Sequence, residues 1–228
     1  MRALLWKDLR LFSYILVLGA ILLVGPYVVV TFYVFSSDLF PLVSAEINPW
    51  SAILSISSFF SLILCHFPLL MLAAHSMANE RADRSLAFLF TLPPTRFRIL
   101  ASKVVVIGCF LATIWCVNCL AILIATRINH GPVFITAGYP SLKVIAEIGF
   151  FCFGASWLAS AYSANPAHAL AFGLVAPLML LAFFLMTMYW FRWPTPFSFG
   201  VWYERSSIIL SQVCFVLGII RFLNKVEP

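Results

Sequence analysis

The chain has 228 residues, of which 63% are hydrophobic and 10% charged. A soluble domain needs about a quarter of its residues charged to cover its surface, so a water-soluble fold is excluded. The formal net charge of +6 is no nucleic-acid footprint, because the basic residues cluster at the ends of apolar runs, where they report orientation in a bilayer.

The first dozen residues place Leu5, Leu9 and Phe12 on one helical face and Lys7 and Arg10 on another. That arrangement suits a short helix lying at the headgroup level, and an interfacial elbow before the first span is expected. The alternative is a first span that begins early while its cations snorkel. The apolar run that follows is longer than a signal h-region and carries no small-residue cleavage site, so it reads as a retained span.

A bilayer core takes about 20 mainly apolar helical residues. Six windows qualify, at about 11–35, 50–77, 104–126, 144–162, 167–191 and 207–222. Pro26, Pro68 and Pro177 fall inside three of them, where neighbouring helices or a local kink can satisfy the freed carbonyls. The expected fold is an all-α integral membrane protein, a single domain over residues 1–228 with six transmembrane helices.

An even number of spans puts both termini on one side. That side carries Arg2, Lys7, Arg10, Arg81, Arg84, Arg96, Arg98, Lys103, Arg221 and Lys225, against Arg127, Lys143, Arg192 and Arg205 opposite. The excess marks the terminal side as cytoplasmic. The first outer loop, 36–49, fits this with Asp38 and Glu46 and no basic residue.

The longest cytoplasmic loop, 79–103, joins the second and third spans. Asp83 can cap a short helix from about Arg84 to Leu92, which Pro93 and Pro94 stop, and Thr95 can cap the helix that becomes the third span. In the short helix Leu86, Phe88, Leu89, Phe90 and Leu92 cover a broad apolar arc. That surface needs a partner, either the ends of the spans or another protein.

Glu80-Arg81, Arg84-Ser85-Leu86, Leu92-Pro93-Pro94-Thr95-Arg96, Ile99-Leu100 and Lys103 together resemble the coupling region of ABC type-2 permeases, the transmembrane subunits of ATP-driven exporters. Arg84 stands where that family often has Gly, and Ala87 where an acidic residue is common. The resemblance implies a cytoplasmic coupling helix seated on a separate ATPase (nucleotide-binding) subunit, with two permeases, copies or paralogues, joined to an ATPase dimer. It implies a contact surface of Glu80, Arg81, Arg84, Leu86, Phe88, Leu89, Phe90, Pro93 and Arg96, in the cytoplasmic (inner) membrane of a bacterium. No Gly-x4-Gly-Lys-Ser/Thr phosphate loop is present, so ATP and magnesium are expected in the partner and no cofactor or enzymatic activity in this chain. The rival class is a membrane scaffold without transport.

Other constellations are weaker. Cys116 and Cys119 form one Cys-x2-Cys pair, short of a zinc site, and the six cysteines read as reduced packing residues. Ser156, preceded by Gly154-Ala155, and His168 would suit an intramembrane serine protease, but Trp157 follows the serine where a Gly-x-Ser-Gly pattern wants glycine. Thr113, Asn118, Ser156, Ser160 and Gln212 either line a substrate path or bond between helices. Glu147 is the most functional-looking charge inside a span, with Lys143 one turn earlier as a candidate ion-pair partner. The aromatic stretch 192–205 on the outer side is either re-entrant or an interfacial belt.

Overall fold

The structure is a computed structural model that describes residues 2–36, 48–82, 96–128, 139–191 and 196–224. Among the described residues the regular structure is α-helix: α1 (Arg2–Leu11), α2 (Ser13–Ser36), α3 (Pro49–Ala82), α4 (Arg96–Ile128), α5 (Tyr139–Tyr162), α6 (Pro166–Phe191) and α7 (Pro196–Asn224). Six of these are long and apolar enough to cross a membrane, over Ser13–Ser36, Pro49–Asn79, Arg96–Ile128, Leu142–Tyr162, Pro166–Trp190 and Val201–Asn224. The chain is a helical, multi-pass membrane protein.

Local chemistry explains where the helices start. α3, α6 and α7 each begin on a proline, whose missing N–H is one that the first turn leaves unpaired anyway and whose fixed φ suits a helix. Before two of these prolines stands an asparagine acting as N-cap. The Asn48 Oδ1 accepts the Trp50 N–H at 3.0 Å, and the Asn165 Oδ1 accepts the Ala167 N–H at 2.9 Å. Pro26, Pro68 and Pro177 lie inside α2, α3 and α6, which continue through them.

Two helices extend beyond their apolar windows. The third span-length helix starts at Arg96, directly after Thr95 as expected, while its apolar window begins near residue 104, so the basic residues Arg98 and Lys103 belong to the helix itself. Apolar length measures the part of a helix in lipid, while its backbone bonds continue into the polar region. Likewise residues 196–205 of the aromatic stretch are the first turns of α7, and the rest of that stretch, 192–195, lies outside the described residues.

The chain divides into two compact units. The first comprises Met1–Arg10, Leu70–Ile107 and Ala146–Pro228. Its packing centres on α5. Trp157 is fully buried, with Phe215 of α7 at 5.2 Å and Phe153 at 6.0 Å between ring centroids. Glycines let the backbones approach: a Cβ on Gly154 would meet the Ser211 carbonyl oxygen at 2.6 Å, and one on Gly173 would meet Ser156, Leu70 and Cys152 inside 3 Å. Small residues at helix contacts replace the hydrophobic drive that lipid does not supply.

The second unit comprises Leu11–Leu69 and Gly108–Ile145. Leu62, Cys65 and Ile114 form its core, flanked by Leu22, Leu23, Phe110, Trp115 and Leu142. One face of α2 stays exposed along Val17, Ile21, Val24, Val28 and Phe32. Their helical spacing makes a continuous apolar stripe, as a surface against acyl chains requires.

Candidate functional site

The site is built from α1, the start of α4 and the last turn of α7, all in the first unit. α1 ends at Leu11, and the Leu16 N–H bonds to the Phe12 carbonyl at 2.9 Å to begin the next helix. α1 is therefore a separate short helix. On it Asp8 is buried while Trp6, Leu9 and Leu11 are exposed, and Phe12, just past its end, is buried.

Asp8 is inward because it has partners. Its Oδ1 lies 3.7 Å from the Lys103 Nζ, and the Ser102 hydroxyl donates to its Oδ2 at 2.5 Å. Lys103 is 0% exposed and Asp8 2%. Two opposite charges out of water hold together because removing either would leave the other uncompensated. Ser102 also donates to the Ile99 carbonyl at 2.8 Å, so the acceptor is fixed from the helix that carries the cation.

About two turns of helix before Lys103, Arg96 opens α4 and its Nη1 donates to the Leu223 carbonyl at 3.1 Å. That carbonyl belongs to the last turn of α7, where acceptors lack intrahelical donors and the helix dipole favours a cation. α1, the start of α4 and the end of α7 thus meet at one end of the first unit.

Of the residues expected on a coupling surface, Arg96 is engaged as described. Glu80 and Arg81 lie in the last turn of α3, and their side chains are not among those described. Arg84, Leu86, Phe88, Leu89, Phe90 and Pro93 lie outside the described residues, as does the expected coupling helix. Asp8 and Ser102 escaped sequence reading. The signal available was an acid isolated among the basic residues Lys7 and Arg10, with a lysine embedded beside the run Val104–Val106.

The polar residues inside the spans are mostly committed to other helices. In the second unit the Tyr27 hydroxyl donates to the Asn118 Oδ1 at 2.9 Å and lies 3.0 Å from the Ser58 Oγ. Asn118 in turn donates to the Ile114 carbonyl at 2.8 Å. In the first unit Ser76 and Ser160 lie 3.3 Å apart, joining α3 to α5. The Ser156 hydroxyl is buried and donates to the Leu70 carbonyl at 3.4 Å, while His168 is exposed at the start of α6. Thr113 bonds back to the Cys109 carbonyl in its own helix at 2.9 Å, and Gln212 is exposed. Glu147 is buried on α5.

The six cysteines are free thiols. Among the described residues no three His, Cys, Asp or Glu side chains gather as a metal site would require. Comparison with family models, with curated proteins and with solved structures finds no match to this chain.

Proposed function

We propose that the chain is the transmembrane permease subunit of an ATP-driven exporter of the ABC type-2 kind, with both termini in the cytoplasm of a bacterium. A separate nucleotide-binding subunit hydrolyses ATP, and the loop between α3 and α4 carries its conformational change into the helices. The observation that carries this reading is the pattern from Glu80 to Lys103, set between two span-length helices. Two anchors at its exit support it, Asp8 with Lys103 and Arg96 with the Leu223 carbonyl. A loop that transmits force needs a stiff base, since an input can shift an equilibrium only by contacts that differ between its states.

The test replaces Phe88, Leu89 and Phe90 together by Ser. Each side chain fully buried in the partner contributes about 1.5–3 kcal/mol, so the triple change weakens docking tenfold or more. Tagged wild type purified from native membranes in mild detergent is expected to bring an ATP-hydrolysing subunit with it. The triple variant reaches the membrane normally but loses that subunit or its coupling to transport. A wild type with no ATPase partner, or a triple variant that keeps both partner and transport, overturns the proposal.

A further inference from the structure

We propose that the first unit binds an anionic phospholipid at the turn between α5 and α6, beside the last turns of α7. A cavity of about 640 Å³ opens there. That lies within the size range of small-molecule sites. Leu158, Phe172 and Leu217 give it apolar walls, and Tyr162, Ser163 and His168 give it polar groups. Phe172 and Leu217 are each about half exposed, so the apolar wall continues onto a surface that faces acyl chains.

The charge beside this cavity is positive. Arg221 stands outside the lining itself, but its guanidinium lies 4.9 Å over the ring of Tyr162, which is part of it, and its buried Nε has no hydrogen-bond partner among the described residues. The cavity is lined by no carboxylate. On α5 and α7 the described acids are Glu147 and Glu204. Glu147 precedes Tyr162 by about 22 Å of helix, and Glu204 precedes Arg221 by about 25 Å. Both therefore belong to the opposite ends of their helices.

The Ser163 hydroxyl is committed to Asn165, which leaves a cation held on an aromatic ring, an imidazole and the Tyr162 hydroxyl beside an apolar recess, and these match one chemistry: a phosphate group with hydrocarbon attached. Guanidinium is the side chain best suited to phosphate, through paired N–H donors. Basic pockets between membrane helices are established receptors for acidic headgroups. A free phosphate ion would gain nothing from Leu158, Phe172 and Leu217, so the occupant is a lipid. This site is independent of the export proposal.

The experiment titrates the purified full chain in detergent with dioleoyl phosphatidylglycerol and, separately, dioleoyl phosphatidylcholine, and counts bound lipid by native mass spectrometry. Wild type is expected to retain phosphatidylglycerol at about tenfold lower concentration than phosphatidylcholine, as one charge-assisted contact to phosphate would give. Arg221→Gln removes that preference and Arg221→Lys keeps part of it, which assigns the loss to charge and not to folding. Ala159→Trp, which fills the cavity without touching a charge, removes the preferred lipid too. Equal retention of the two lipids by wild type overturns the proposal. So does an unchanged preference in Arg221→Gln, or displacement of the lipid by inorganic phosphate at matching concentration.

Discussion

Replacing Lys103 by Met tests whether the buried pair fixes α1 to α4. At 3.7 Å the gross attraction between unit charges is about 4.5 kcal/mol at an effective dielectric of about 20. Desolvation of both ions offsets much of it, so the net value of the pair is small, whereas stranding one partner costs about 3–5 kcal/mol. Lys103→Met should therefore destabilise the first unit by about 3 kcal/mol or more, since among the described residues Asp8 then keeps the Ser102 hydroxyl alone. Ser102→Ala should cost about 1.5 kcal/mol, the low end for a bond to a charged group, because the hydroxyl is shared with the Ile99 carbonyl. The double variant Asp8→Leu with Lys103→Met removes both charges and should be more stable than Lys103→Met alone. The assay is reversible unfolding of the purified chain in mixed micelles at rising dodecyl sulfate fraction, read as a double-mutant cycle. Additive single effects, or a Lys103→Met cost below about 1 kcal/mol, would refute the reasoning.

Gly154→Val should destabilise by about 1–3 kcal/mol, because its Cβ would press on the Ser211 backbone of α7. Gly108→Ala meets nothing within 4 Å and should stabilise α4 by up to about 1 kcal/mol, the helix propensity difference; the same unfolding assay compares the two. Asn118→Leu should cost about 1 kcal/mol, since Tyr27 loses one of its two partners and keeps Ser58 in a medium without water, and Tyr27→Phe combined with it should add little. In sealed inside-out vesicles of a cysteine-free background, a cysteine introduced as Pro94→Cys should react with an impermeant maleimide and Glu46→Cys should not. The reverse pattern would invert the proposed orientation.

Much of the architecture was legible because a bilayer imposes its own ruler. Long apolar runs must pair their backbone groups internally, so length and hydropathy alone placed six helices where the structure has them. Local signals were equally readable: α4 starts at Arg96, directly after Thr95, which itself lies outside the described residues. Where prolines punctuated an aromatic stretch, local reading left its conformation open, and the structure continues α7 back to Pro196 because proline suits a first helical turn.

Of the candidate site, the sequence by itself determined the pattern in the loop and the presence of cations near it, including Arg96 and Lys103. Only the tertiary structure decided what those cations meet. Asp8 and Lys103 are far apart in the chain and so are Arg96 and Leu223; Tyr27 finds Asn118 across a similar span. Periodicity reports which face of a helix is apolar, but it carries no information about which distant residue will stand opposite. In α1 the same holds for Asp8, whose burial depends on Lys103, a cation that only the fold brings to it from α4.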